Sequence, residues 1–205
     1  MSFYEKYILP HALHFACKQR LVEPLRREVV PLAEGVVLEL GIGSGLNLPH
    51  YDPGKVRAVI GVDPSEALWR KSEPLRRGLP FPVEFLPARA EALPLEKHSV
   101  DTVLLTFTLC TVEGVGPALE EARRVLRPGG RLLFCEHGLA PEPHVRKWQH
   151  RLNPLWKPLA GGCNLNRDIP ALLRTHGWNI AHLQEGYFVG FKVAGYAYRG
   201  VAVGR

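Results

Sequence analysis

A chain of 205 residues with 46% hydrophobic side chains is long enough for one well-buried core and too short for two domains of ordinary size, so residues 1–205 read as a single domain. The formal charge of +6 invites a nucleic-acid or anionic-membrane reading. Yet the basic residues come in scattered pairs, such as Arg26-Arg27, Arg76-Arg77 and Arg123-Arg124, each beside carboxylates or apolar positions in the manner of solvated helix faces.

The first stretch, "MSFYEKYILPHALHFACKQR", carries Glu5, Lys6 and Lys18 and has no uninterrupted apolar run, which argues against a secretory signal or a membrane span. The expectation is a soluble, cytoplasmic protein. Phe3, Tyr4, Tyr7 and Phe15 make residues 1–34 a candidate helical lid. His11, His14 and Cys17 have helical spacing that could recruit a metal, but ligand sets this loose are ordinarily helix faces, and no metal is expected. Cys17, Cys110, Cys135 and Cys163 lie far apart with no C-x-x-C pair, against a disulfide framework or structural zinc.

From Val36 to Glu136 short apolar runs alternate with amphipathic stretches, the pattern of a parallel sheet covered by helices on both faces. The predicted strands are Val36 to Leu40, Ala58 to Val62, Val83 to Leu86, Thr102 to Phe107 and Arg131 to Glu136. A helix over Pro117 to Leu126 follows from Leu119, Ala122, Val125 and Leu126, with "RPGG" as its terminator. Residues 137–167 are rich in proline and glycine and read as an irregular insertion holding Trp148 and Trp156. A short helix near Asp168 to His176 ends a cap region of residues 137–177. Residues 178–205 then hold two strand-like runs with no room for a crossover helix, so they pair antiparallel.

The first strand opens into "ELGIGSG". A dinucleotide fingerprint would place its third glycine at position 46, where the chain has Leu46; it offers Gly41, Gly43 and Gly45 instead. Glu39, two residues before the first of them, would repel a pyrophosphate and suits a cationic ligand. S-adenosyl-L-methionine carries a sulfonium and an ammonium, and its adenosine still needs close backbone approach. Asp63, ending the second strand, is placed to accept hydrogen bonds from two ribose hydroxyls.

"VLELGIGSG", "GVDPS", "ARAEALPLEKHSVDTVLL" and "EEARRVLRPGGRLLFCEH" resemble, in order and spacing, the motifs of class I S-adenosylmethionine-dependent methyltransferases. That family implies a Rossmann-like α/β fold with a seven-stranded, mostly parallel sheet and an antiparallel terminal hairpin. It implies that residues 35–136 form the cofactor-binding core. Gly41, Gly43 and Gly45 would pass beneath the methionine part, supported by Glu39, and Asn47 joins this set. Pro64 and Ser65 would line the adenine, with Ala90 and Glu91 at its edge, and Thr106 would face the methyl group. Arg89 stands where many members have an aspartate that bonds the adenine amino group.

The acceptor is less marked. No D/N-P-P-Y turn follows the fourth strand, where the chain has "TFTLCT", and no aromatic-basic platform is seen, so nucleic acid is not the expected substrate. Cys110 lacks the Pro-Cys context of a base-attacking nucleophile and reads as a buried small residue. "FTLCTVEG", "WKPLAGGCNLNRD" and "GYAYRG" are similar to segments of the thiol S-methyltransferases of microsomal membranes and their bacterial relatives. That resemblance implies a small apolar acceptor, with thiol S-methylation leading and methylation of a phospholipid amine or a quinone ring as the alternative. The positive charge would assist peripheral contact with a membrane. His137 is the candidate catalytic base, with Glu136, Asn164 and Arg167 as further pocket candidates. A nonenzymatic S-adenosylmethionine-binding protein and a nucleotide-dependent oxidoreductase are the rivals from other classes, and Leu46 and Glu39 argue against the second. Nothing in the sequence sets the oligomeric state.

Overall fold

The computed structural model describes residues 21–204. Strands β1 (Gly35–Leu40), β2 (Val56–Val62), β3 (Val83–Leu86), β4 (Val100–Thr106), β5 (Leu126–His137), β6 (Trp178–Tyr187) and β7 (Tyr196–Gly204) form one sheet in the order β3-β2-β1-β4-β5-β7-β6. β1 to β5 pair in parallel, and β7 runs antiparallel to both β5 and β6, as the resemblance implied.

The two-residue side-chain period of these strands divides the core between the faces. Leu38, Leu40, Val103, Leu105, Leu132 and Phe134 join one apolar cluster. Their neighbours Val37, Leu104, Leu133 and Cys135 join a second, which helix α1 (Glu23–Val29) covers with Leu25 and Val29. The other face takes α4 (Val115–Val125), whose Ala118, Leu119, Ala122 and Val125 are buried at helical spacing. Two short helices, α2 (Glu66–Arg70) and α3 (Glu73–Arg76), cross between β2 and β3.

Two expectations change. The "RPGG" segment does not lie between elements: α4 ends at Val125 and β5 begins at Leu126. A bulge lets Val100 pair with Leu126 while Thr102 pairs with Arg131, and Gly129, at φ 81°, accommodates the extra residues.

The supposedly irregular insertion contains the longest described helix, α5 (Pro143–Leu159, 17 residues). Pro143 occupies its first turn, where no intrahelical N–H is required. Pro154 and Pro158 fall at exposed positions, where the carbonyls they leave unpaired can be hydrated. Val145 and Gln149, one turn apart, anchor the helix. The Gln149 amide accepts from the Ala140 N–H at 2.9 Å and donates to the Gly138 and Val193 carbonyls, each at 3.1 Å. Helix α6 (Ile169–Thr175) is capped by the Asp168 side chain, which accepts from the Ala171 N–H.

Among the described residues, no helix is long and apolar enough to cross a membrane. The aromatic residues Phe3, Tyr4, Tyr7 and Phe15 and the set His11, His14, Cys17 lie outside the described residues.

Candidate functional site

Leu40 pairs with Val62 on one side and Leu105 on the other, so β1, β2 and β4 end level. The strand order turns back between β1 and β4, and a crevice opens beyond the carboxyl ends, as open α/β sheets provide at a switch point. A cavity of about 630 Å³ lies there, within the usual range for small-molecule sites.

The glycine loop forms one wall. Gly41 stands at φ 73°, and a Cβ there would come 2.2 Å from the Thr108 Oγ1, so neither its conformation nor its neighbour tolerates a side chain. Gly43, at φ 51°, is open: a Cβ there would meet nothing closer than 3.9 Å, and the backbone faces the cavity. Gly45, at φ 71°, sits behind the loop, where a Cβ would meet Leu48 and Ser72 at 2.8 Å. It does not line the cavity. Gly41→Ala is expected to cost at least about 2 kcal/mol, from left-handed strain plus the clash with Thr108, measured by denaturant unfolding.

Asp63, just past the end of β2, accepts from the Gly43 N–H at 3.0 Å and the Ser65 N–H at 2.8 Å. Each oxygen keeps a lone pair for a further donor in the cavity. Burial raises its pKa, against the lowering by these two N–H groups. The same contacts fix Pro64 and Ser65 along the wall, and Ser65 caps α2 by accepting from the Leu68 N–H. Ala90 and Glu91 also line the cavity, and Glu91 accepts from the Gly114 N–H at 3.2 Å. Arg89, the departure from the family pattern, pairs with Glu91 and Glu113 at the rim.

Beneath the loop lies a buried polar network. Glu39, 1% exposed, accepts from the Tyr51 hydroxyl at 2.6 Å and from the Asn47 amide at 2.8 Å. That amide also reaches the Thr106 hydroxyl at 2.8 Å, while the Asn47 carbonyl accepts from Arg26 at 2.6 Å. Burial pushes Glu39 up to about 7, and the Tyr51 and Asn47 hydrogen bonds and the Arg26 charge oppose it. Glu39, Thr106 and Arg26 line the cavity, whereas Asn47 stands behind them as their tie.

The raised Glu39 pKa has a defined consequence for stability. The folded state holds this proton more tightly than the unfolded chain, so the contribution is full below about 4.5 and is lost as pH rises through about 7. Unfolding free energies measured between those pH values are expected to fall in the native protein and to flatten in Glu39→Gln.

Arg26 escaped the sequence reading, which placed it on a solvated face. Arg27 is indeed exposed and pairs with Glu23, but Arg26 is 6% exposed and packs over the Phe107 ring at 5.6 Å. The available signal was its phase: Val22, Val29 and Val30, at helical spacings from it, are all buried. Tyr51 and Gly61 were missed as well. Gly61 makes room for Ile42, whose Cδ1 would lie 2.3 Å from a Cβ at that position.

The opposite wall comprises Phe107, Thr108, Thr111, Val112, Gly162 and, from α5, Lys157. Phe107 holds φ 55°, rare outside glycine, which turns the chain sharply from β4 along the cavity. The acceptor-side candidates stand elsewhere. The Glu136 carboxylate accepts from the Thr108 N–H at 2.8 Å and the Cys110 N–H at 3.1 Å, and burial raises it to about 7. Asn164 donates to the Cys110 carbonyl and Arg167 to the Leu109 and Val112 carbonyls. His137 is buried with its Nδ1 3.8 Å from the Cys163 sulfur. None of these four lines the cavity, nor do Trp148 and Trp156. Glu136, Asn164 and Arg167 brace the turn that forms its far wall. Among the described residues, no group of three ligating side chains could hold a metal ion.

The crevice brings together the Gly41 and Gly43 backbone, the Asp63 carboxylate and the buried Glu39, a set whose chemistry suits a cationic nucleoside. The family model described as "Methyltransferase domain" matches residues 38–134. Thiol S-methyltransferase TMT1B of Rattus norvegicus is 37% identical over 138 residues, covering 66% of this chain and 56% of that protein. Thiol S-methyltransferase TMT1A of Homo sapiens is 36% identical over 171 residues, covering 82% of this chain and 70% of that protein. The chain thus spans roughly half to two thirds of the length of such relatives. A solved SAM-dependent methyltransferase from Methanosarcina mazei superposes with a TM-score of 0.65 at 21% identity, over 82% of this chain and 91% of that one, which bears on the fold. The ordered motifs, the sheet and these relatives together show that the chain belongs to the class I S-adenosylmethionine-dependent methyltransferases, as a homologue of the thiol S-methyltransferases.

Proposed function

We propose that the protein transfers a methyl group from S-adenosyl-L-methionine to a small thiol. The observation that carries this reading is the one cavity shared by the Gly41–Gly43 backbone, Asp63 and Glu39 on one wall and by Phe107, Thr111, Val112 and Lys157 on the other. The bound cofactor supplies an already activated methyl group, and the chain supplies alignment and exclusion of water. Asp63 would orient the ribose, Pro64, Ser65, Ala90 and Glu91 the adenine, and the Glu39 network with Thr106 the methionine part.

The acceptor faces the methyl group across Phe107 and Thr108. Attack requires a thiolate, and Lys157 is the cationic group of the far wall. Lys157→Met is expected to lower kcat/KM for a thiol acceptor by about fivefold, equivalent to about 1 kcal/mol for a solvent-exposed attraction, with cofactor affinity unchanged. Residues 137–177 act as the substrate cap in this reading. The free thiols of Cys110, Cys135 and Cys163 suit a reducing compartment such as the cytoplasm.

Purified protein given labelled cofactor and, separately, an aryl thiol, phosphatidylethanolamine vesicles and a quinol precursor provides the test. Methylation of the thiol supports the proposal. Turnover of only a non-thiol overturns it.

A further inference from the structure

The turn that forms the far wall is held from behind by a cluster outside the cavity lining. Cys110 lies in that turn, just before Thr111 and Val112, and Cys163 follows Gly161 and Gly162 after α5. Thr111, Val112, Gly161 and Gly162 all line the cavity. The two cysteines stand back to back behind them.

The backbone brings them together. The Asn164 N–H donates to the Cys110 carbonyl at 2.8 Å, and the Asn164 side-chain amide donates to the same oxygen at 2.9 Å. A peptide hydrogen bond from the residue following Cys163 to Cys110 itself sets the two residues side by side, and their thiols are within hydrogen-bond reach of each other, the proximity a disulfide requires. The Cys110 N–H is fixed on Glu136 at 3.1 Å, and the Cys163 sulfur lies 3.8 Å from His137 Nδ1. His137 Nε2 is buried without a partner in the same cluster.

We propose that Cys110 and Cys163 form a reversible dithiol/disulfide pair built into the acceptor wall of the cleft. The two thiols are chemically unequal. Cys110 lowers the Cys163 pKa most, with His137 and Trp156 adding to it, so Cys163 is the readily formed thiolate. Contact with Cys163 and burial raise Cys110, which stays protonated. Cys163 is partly exposed, whereas Cys110 is buried, so an oxidant meets Cys163 first.

The oxidant is a small-molecule disulfide, R–S–S–R. The Cys163 thiolate attacks one sulfur, the S–S bond breaks, and one RS⁻ leaves. Cys110 then loses its proton and attacks the mixed disulfide at the Cys163 sulfur, expelling the second RS⁻. The two cysteines are oxidised, R–S–S–R is reduced to two RSH, and the two cysteine protons end on the released thiols. The new bond staples the Gly161-Gly162 segment, at φ 62° and 93°, to the turn at Thr111. This chemistry stands independently of the acceptor's identity.

The test treats the reduced, desalted full chain with glutathione disulfide, blocks the remaining thiols and maps the peptides by mass spectrometry. The expected result is a Cys110–Cys163 cross-link that dithiothreitol reverses, absent in Cys110→Ser and Cys163→Ser, with the folded far-ultraviolet spectrum retained in both. His137→Gln is expected to form the same link more slowly. A lasting glutathione adduct on Cys163, a link through Cys17 or Cys135, or no link at all would each overturn the proposal.

Discussion

Asp63→Ala is expected to weaken binding of S-adenosylhomocysteine by about 100-fold, read by calorimetric titration. The magnitude follows from removing the two charge-assisted hydrogen bonds to ribose hydroxyls proposed for Asp63, together about 3 kcal/mol. Asp63 also accepts from the Gly43 and Ser65 N–H groups, so the alanine variant loosens the glycine loop as well as losing the ribose. Asp63→Asn separates the two roles, because one carbonyl oxygen still accepts while the charge is gone. Its affinity is expected to fall between those of the parent and the alanine variant, with a melting temperature nearer the parent's. Equal affinity in all three would remove Asp63 from the cofactor site.

The second large effect concerns Arg26. Arg26→Met deletes the cation of the buried network and leaves Glu39, Asn47 and Thr106 with an unbalanced set of donors and acceptors. Leaving the buried Asn47 carbonyl without its donor costs about 1–3 kcal/mol. For a chain of this size that lowers the melting temperature by roughly 2–12 °C. Without the Arg26 charge, Glu39 moves further above the usual carboxylate range and holds its proton more fully at pH 7, so affinity for a cationic cofactor is expected to fall too. The double variant Arg26→Met/Glu39→Gln is expected to be more stable than the sum of the single changes predicts, since the buried acid it would have stranded is gone. Additive costs would show that the two groups do not interact.

How much of this was legible in the sequence follows from how local each signal is. The glycine loop, Glu39 and Asp63 lie within 25 residues of one another in one β-loop-β unit, and the same local chemistry that suggested them also positions them. The strands were legible because apolar runs bounded by turns have few other uses in an α/β chain. Arg26 meets Thr106 across 80 positions, which no local pattern encodes. Helix α5 was hidden because its prolines were weighed as breakers irrespective of position, although Pro143 stands in the first turn, where no N–H is needed, and Pro158 one residue from the end. Glu136, His137, Asn164 and Arg167 end near the cleft in sequence terms, yet their side chains turn to backbone groups and sulfur behind it. Only the tertiary path of the 107–112 turn decides that direction.

The position of β7 bears on how the molecule is made. β6 joins the sheet only through β7, and β7 in turn covers the edge of β5 from Leu132 to His137. A ribosome delivers the chain in order, at about 5–20 residues per second. Residues 178–187 therefore emerge before their partner exists, while β5 presents open N–H and C=O groups to any neighbouring strand. The last strand must slip between two segments already synthesised, so the sheet cannot be completed until residues 196–204 are free. A nascent chain stalled just short of them is expected to pair with other chains.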